Sequence, residues 1–122
     1  MKPEFRLAAV CNIRRDGEIL LARKKGGFGA GKLVPPSGKI EQGETIKSGA
    51  VREILEETKL KVKESDLRKL AIINLTYFFK GTKVKSPVHI FETDKFEGIP
   101  QETEDLICHN GITSNVYHTM KY

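Results

Sequence analysis

The chain has 122 residues, of which 39% are hydrophobic and 30% charged, a composition typical of one soluble globular domain. No stretch approaches the roughly 18 consecutive apolar residues that a membrane span requires, and Met1 to Arg6 contain no signal-peptide hydrophobic region. We therefore expect a single domain over residues 1–122, located in the cytoplasm and without a membrane partner. The formal net charge of +5 favours anionic partners such as nucleotides.

The first third of the chain predicts a β-hairpin followed by irregular chain. Apolar alternation over 5–13 and the apolar run 19–22 predict two strands, with a turn at 15–18 between them. The segment 26–31 is too rich in glycine for a helix or a strand, and 35–38 contains two prolines and a glycine. We expect only a short extended piece between these two loops.

The middle of the chain predicts one helix and a second hairpin. Apolar residues recur every three or four positions between Thr45 and Thr58, which is the spacing of one helix face. Beyond the helix, 67–79 and 84–91 are rich in β-branched and aromatic residues, and 80–83 predicts the turn between them.

The C-terminal part of the chain has the weakest pattern for predicting secondary structure. Ile112, Val116 and Met120 recur every four residues, which favours a short helix that packs back on the sheet. The alternative is that a second copy of the chain covers the apolar sheet, and the few large residues of the tail favour this homodimer. Under either alternative, deleting residues 112–122 should reduce solubility or stability.

Three carboxylates crowd one turn of the predicted helix, because Glu53 and Glu57 are four positions apart and Glu56 lies between them. Like charges at this spacing repel by a few tenths of a kcal/mol, so a solvated acidic face is one interpretation. The other is a cation site, since hard divalent ions such as Mg²⁺ take carboxylate oxygens as ligands.

The segment 38–60 favours the second interpretation, because it resembles the Nudix box, G-x5-E-x7-R-E-U-x-E-E-x-G-U with U aliphatic. Eight of the nine fixed positions agree. The matching residues are Gly38, Glu44, Arg52, Glu53, Ile54, Glu56, Glu57 and Leu60. The mismatch is Lys59, where the family has a glycine that suits a left-handed residue at the end of a helix.

The resemblance extends to the subgroup that hydrolyses oxidised purine nucleoside triphosphates, the MutT and human MutT-homologue type. It is carried by the loop 27–31, by 89–91 and by 98–100. It implies an α/β fold with a mixed sheet sandwiched between helices, and a loop-helix-loop box. Leu33 and Val34 stand where the subgroup usually has a tryptophan and a purine-reading asparagine, which leaves the base preference open.

The chemistry and the resemblance together imply a metal-dependent pyrophosphohydrolase. Mg²⁺ or Mn²⁺ is expected on three glutamates, one carbonyl and one later carboxylate, namely Glu53, Glu56, Glu57, the Gly38 carbonyl and Asp105, with Glu104 as the alternative to Asp105. Arg52, Glu53 and Glu57 are the predicted catalytic residues, with Glu57 or Glu53 as the base. The predicted substrate-binding residues are Lys24, Phe28 and Lys39. The segment after Asp105 is expected to be short or atypical.

Alternative functions fit the sequence less well. A dinucleoside polyphosphate, a nucleotide sugar and an RNA 5′ end are alternative substrates of the same chemistry. Apart from such an RNA end, nucleic acid is not expected as a partner. The sequence Gly26–Lys32 matches the start of a P-loop, but Leu33 replaces the required Ser or Thr and Pro35 follows where a helix must begin. A non-enzymatic RNA-binding module is a further alternative, although no RNP-like motif is present and Tyr77, Phe78 and Phe79 suit a core equally well.

Overall fold

The computed structural model describes residues 2–24 and 32–100, without the side chains of 22–24, and the backbone of 106–107 and 118–121. Its elements are β1 (Glu4–Phe5), β2 (Ala8–Arg15), β3 (Glu18–Lys24), β4 (Leu33–Val34), β5 (Ser37–Lys39), helix α1 (Ile46–Thr58), the 3-10 helix η1 (Glu64–Asp66), β6 (Arg68–Phe79), β7 (Thr82–Thr93), β8 (Leu106–Ile107) and β9 (His118–Lys121). The α-helix among the described residues, α1, has 13 residues and is too short to span a membrane.

The strands form one mixed sheet around β7. One edge of β7 pairs in parallel with β1 and β2, and its other edge pairs antiparallel with β6. The far edge of β2 pairs antiparallel with both β5 and β3, and β3 continues the sheet to β4, β8 and β9. The predicted mixed sheet with a helix in the 38–60 segment is therefore confirmed. The described residues contain no α-helix on the face opposite α1.

Both predicted hairpins are present, and both turns are shorter than the sequence pattern indicated. Asp16 and Gly17 have φ values of 54° and 78°, and Lys80 and Gly81 have φ values of 50° and 80°. Two central residues with positive φ make a type I′ turn, whose twist matches that of the flanking strands. The residues on either side of each turn therefore pair with each other. In the first hairpin, β2 ends at Arg15 and β3 begins at its partner Glu18.

Helix α1 begins where the sequence predicts because its first turn is capped from both sides. The Thr45 hydroxyl oxygen accepts from the Ser48 amide at 3.0 Å, and the Ser48 hydroxyl accepts from the Thr45 amide at 2.9 Å. Its buried face, which includes Ala50 and Ile54, packs on β2 and β5. The hydrophobic core comprises Ala9, Cys11, Ile13, Leu20, Ile40, Ala50, Ile54, Leu60, Val62, Leu67 and Phe91.

Lys59 ends α1 in the left-handed conformation, with φ 65° and ψ 12°, and its amide donates to the Leu55 carbonyl. A residue with a Cβ is strained in this conformation, whereas glycine is not. Lys59→Gly should therefore raise the free energy of unfolding by about 1 kcal/mol in urea denaturation. Lys47→Gly, inside α1, is the matched control and should lower it by about 1 kcal/mol. A neutral or destabilising Lys59→Gly would contradict the assignment of strain to this residue.

The predicted C-terminal helix is wrong at its end, because His118–Lys121 form strand β9. This strand pairs antiparallel with Glu18–Leu21, and Met120 lies opposite Ile19. The edge of β3 presents unpaired amide and carbonyl groups, and a strand satisfies them where a helix does not. An apolar residue at every fourth position did not distinguish a helix from a strand here. Residues 112–117 lie outside the described part of the chain.

Strand β6 forms the edge of the sheet beyond β7. Leu70, Ile72, Ile73 and Leu75 are each between 45% and 49% exposed, and they include neighbours that point to opposite faces. A long apolar edge of this kind favours pairing with another chain. The homodimer stays a prediction, and β6 offers it an apolar edge.

Candidate active site

Arg52 ties the start of the 38–60 segment to the middle of α1. Its Nε and Nη2 donate to the two carboxylate oxygens of Glu44, at 2.6 and 2.9 Å, and Nη2 also donates to the Lys39 carbonyl at 2.9 Å. This is a bidentate arginine–carboxylate pair, which fixes the direction of both groups. The loop before the helix is held against the helix by one guanidinium group.

The same guanidinium reaches two of the clustered glutamates. Nη1 of Arg52 donates to Glu53 Oε1 at 2.8 Å and to Glu56 Oε2 at 3.2 Å. The hydrogen bond that Glu44 accepts from Arg52 holds the pKa of Glu44 below its ordinary value. A hydrogen bond from the Glu41 amide lowers the pKa of Glu44 further. The pKa of Arg52 is raised in return, chiefly by Glu44. Arg52 therefore offsets the mutual repulsion of the carboxylates.

Strand β5 supplies the backbone amide that binds Glu57, the third glutamate of the cluster. Glu57 Oε1 accepts a hydrogen bond from the Ser37 amide at 2.7 Å. At the next residue, a Cβ built on Gly38 would lie 2.1 Å from Glu53 Oε2, well inside contact distance. No side chain fits at Gly38 without displacing Glu53. Two of the three predicted glutamate ligands thus lie against neighbouring residues of β5.

The donor types at this site suit a hard divalent cation. The carboxylates of Glu53, Glu56 and Glu57 are oxygen donors on one turn of α1, and the absence of a side chain at Gly38 lets the Glu53 carboxylate lie against the backbone there. In the described residues, however, no three acidic, histidine or cysteine groups converge closely enough to hold an ion. Arg52 holds Glu53 and Glu56 while Ser37 holds Glu57, so binding requires side-chain rotation. Their metal and catalytic roles stay predictions.

A cavity of about 510 Å³ begins at the same two residues of β5. It is lined by Ala8, Val10, Ser37, Gly38, Leu75, Thr76, Tyr77, Ser86 and Val88. The register pairs Lys39 with Ala8, so Lys39 belongs to the sheet face of this cavity. The clustered glutamates and the cavity therefore meet at β5.

Of the predicted substrate-binding residues and the later metal-binding carboxylate, only Lys39 has a described side chain. Lys39 lies on β5 with an exposed side chain. Phe28, Glu104 and Asp105 lie outside the described residues, as does the side chain of Lys24. The loop 26–31 of the rejected P-loop interpretation is likewise outside them.

Sequence reasoning missed two parts of this site. The Ser37 amide is a backbone donor, and nothing in the residue type marks it as the partner of Glu57. The cavity wall comes mainly from β2, β6 and β7, whose apolar residues alternate as in any half-buried strand. Only the pairing of distant strands could have revealed it.

Comparison with protein families decides the relationship of this chain. The model of the NUDIX domain matches residues 4–110. The chain belongs to the NUDIX domain family. The resemblance predicted from the segment 38–60 is confirmed, and α1 is the Nudix helix.

The Nudix chain is also similar to individual proteins. It is 40% identical over 101 residues to a zebrafish protein and 39% identical over 101 residues to a mouse protein, each named oxidized purine nucleoside triphosphate hydrolase. Both matches cover 83% of this chain but 62% of the relative, so the chain spans less than two thirds of their length. The crystal structure of a MutT NUDIX hydrolase from Burkholderia pseudomallei superimposes with a TM-score of 0.70 at 28% identity, covering 83% of this chain and 75% of that one.

Proposed function

We propose that this Nudix chain hydrolyses a nucleoside triphosphate to the monophosphate and pyrophosphate with Mg²⁺ or Mn²⁺, and that 8-oxo-dGTP, an oxidised purine nucleotide, is its lead substrate. The observation that carries the proposal is the position of β5. The carboxylates of Glu53 and Glu57 lie against Gly38 and Ser37, and the same two residues line the cavity. The similarity to proteins named oxidized purine nucleoside triphosphate hydrolase supports the choice of nucleotide.

The proposed substrate crosses the sheet edge at β5. The base and sugar occupy the cavity, whose lining is largely apolar and suits the faces of a nucleobase. The phosphates then extend past Gly38 toward the carboxylates of Glu53 and Glu57, which lie against β5. Lys39 stands at this crossing with an exposed ammonium group that can contact a phosphate.

The residues of the Nudix helix divide the chemistry between them. When bound to Glu53, Glu56 and Glu57, a divalent cation would activate a water molecule and neutralise phosphate charge. Glu57 or Glu53 accepts the proton of the water that attacks phosphorus. Arg52 positions Glu53 and Glu56 and is not required to touch the substrate.

Base selection in this chain must depend on the cavity wall. Leu33 and Val34 bear no side-chain hydrogen-bonding groups, so they cannot read a purine edge as polar side chains do. Tyr77 carries a hydroxyl group on the β6 side of the wall, where it also interacts with Arg6, while the hydroxyl of Ser86 donates to the Arg6 carbonyl. We therefore assign the recognition of the base to β6 rather than to β4.

A substrate panel tests this function. Purified chain with Mg²⁺ is assayed with dGTP, 8-oxo-dGTP, a dinucleoside polyphosphate, a nucleotide sugar and capped RNA. The proposal expects pyrophosphate from the triphosphates, loss of turnover with EDTA, and recovery with excess Mg²⁺. Orthophosphate as the sole product, or faster turnover of a non-triphosphate substrate, would contradict the assignment.

Filling the cavity should weaken substrate binding. Ala8 lines the cavity beside Val88, and Ala8→Phe adds a ring to a space of about 510 Å³. We expect KM for the best triphosphate to rise by about tenfold or more, because a reduction of roughly 1.4 kcal/mol in binding free energy is a factor of ten. Ile99→Phe is the control, since Ile99 is 71% exposed and lines a different cavity. An unchanged KM in Ala8→Phe would remove the cavity from the proposed site.

A further inference from the structure

Two aromatic side chains outside the candidate site are strongly exposed. Phe5 on β1 is 67% exposed, and Phe78 on β6 is 72% exposed. Burial of a phenylalanine is among the larger favourable contributions to folding, so two exposed rings near one another need an explanation. Neither residue lines the cavity beside β5.

The sheet register places both phenylalanines beside lysines of the central strand. Phe5 pairs with Lys85, and Phe78 pairs with Lys83. Directly paired residues project to the same face, and Lys83 and Lys85 share a face because they are two positions apart. These four residues, Phe5, Phe78, Lys83 and Lys85, form one group, which we call the aromatic–lysine patch. Ser86, which lines the cavity, belongs to the opposite face.

The spacing separates the two rings but keeps the lysines between them. Phe5 and Phe78 are two strand spacings apart, about 4.8 Å each, and one two-residue step of about 6.7 Å along the strands. Their Cα atoms are therefore on the order of 12 Å apart. Two planar groups of one ligand can stack on the two rings while Lys83 and Lys85 contact the linkage between them.

The charge of this patch is positive. Lys83 and Lys85 are exposed, and within the part of the chain that the structure describes neither forms an ion pair. The acidic residue closest in register is Glu4, and its carboxylate binds Arg6 at 3.1 Å. Lys80 adds another exposed cation at the turn of the same hairpin. An anionic ligand is therefore complementary to the patch.

We propose that the aromatic–lysine patch binds single-stranded nucleic acid with little sequence preference. Bases stack on Phe5 and Phe78, and the phosphates between them contact Lys83 and Lys85. Sequence-tolerant binding of single strands uses this combination of aromatic platforms and cations that follow the backbone. The patch is independent of the hydrolytic site, because it shares no residue with it.

A membrane or a protein partner fits the patch less well. Insertion of Phe5 and Phe78 into a bilayer would draw Lys83 and Lys85 toward the hydrocarbon with them, which is costly for charged groups. Protein interfaces concentrate aromatic residues in a core from which lysine is depleted. Here the lysines lie between the rings, as a phosphate backbone requires.

The test is fluorescence anisotropy of a labelled 12-nucleotide oligo(dT) with the whole chain at low salt. Phe5→Ala/Phe78→Ala should weaken binding at least tenfold, whereas Ile99→Ala, which removes another exposed apolar residue, should not change it. Lys83→Ala/Lys85→Ala should weaken binding and lower the slope of log K against log salt by about 1.4, or about 0.7 for each phosphate that is no longer neutralised. Lys61→Ala/Lys63→Ala removes the same net charge elsewhere and should leave the slope unchanged.

Three results would overturn the proposed role of the patch. Equal reductions of affinity in the two double-lysine variants would show an effect of net charge alone. Binding that survives Phe5→Ala/Phe78→Ala would remove the stacking. Failure to bind oligo(dT), together with Phe-dependent binding to phosphatidylserine vesicles, would assign the patch to a membrane surface. Glu57→Gln should keep full oligonucleotide affinity, and a reduced affinity there would contradict the separation of the two sites.

Discussion

Glu57→Gln should lower kcat by about 10²–10⁴-fold at saturating nucleotide, the usual contribution of a positioned general base. Gln lacks the basic carboxylate and is a weaker ligand for a hard cation. Its amide oxygen can still accept the hydrogen bond that the Ser37 amide donates to Glu57 at 2.7 Å, so β5 should stay in place. The measurement is steady-state release of pyrophosphate with Mg²⁺, together with a thermal melt of each variant.

Glu64→Gln is the matched control for Glu57→Gln. Glu64 is exposed in η1, and its replacement should leave both kcat and melting temperature unchanged. If Glu57→Gln were near-normal in turnover and Glu53→Gln were inactive, Glu53 would be the base. Near-normal turnover in both variants would reject the proposed chemistry on α1.

Arg52→Lys should be a strong loss-of-function change although the charge is kept. Arg52 binds Glu44, Glu53 and the Lys39 carbonyl at once through a planar fork of donors. One ammonium group cannot meet all of these directions. We expect kcat to fall by about 10²-fold, as misplacement of a reacting group by about 1 Å can produce, and the melting temperature to fall by several degrees.

Arg15→Lys controls for the change of residue type, because the guanidinium of Arg15 lies over the Phe96 ring outside the glutamate cluster. Since Arg52 is a positioning residue, its replacement should reduce kcat far more than it raises KM. A larger effect on KM would indicate that Arg52 contacts the substrate directly.

The Arg52–Glu44 pair also predicts an acid-sensitive contribution to stability. The pKa of Glu44 is lowered in the fold from its ordinary value of 4.5, chiefly by Arg52. A lowered folded-state pKa stabilises the protein above the unfolded-state value, and this stabilisation disappears as pH falls through the folded-state pKa. The difference in stability between the native chain and Glu44→Gln should therefore be present at pH 7 and shrink below about pH 4.5.

The sequence by itself determined the features that depend on neighbouring residues. The helix over 46–58 was predictable because its apolar spacing and its Thr45 cap act within a few positions. The hairpins were predictable from turn residues, although the strands run closer to the turns than predicted and the strand predicted over 5–13 is divided between β1 and β2. The spacing of the Nudix box was enough to predict the family, since its glutamates occupy one turn of a helix whatever packs around it.

The tertiary structure alone decided what the glutamates face and where a substrate fits. Glu57 meets the Ser37 amide across 20 positions of sequence, and the cavity draws on strands from Ala8 to Val88. His118–Lys121 became β9 because the open edge of β3 could accept a strand, whereas four-residue apolar spacing had favoured a helix. The pairing of β1, β6 and β7 likewise places Phe5 and Phe78 on one face, on either side of Lys83 and Lys85. These outcomes depend on which distant backbone groups satisfy one another, and local residue spacing does not encode that choice.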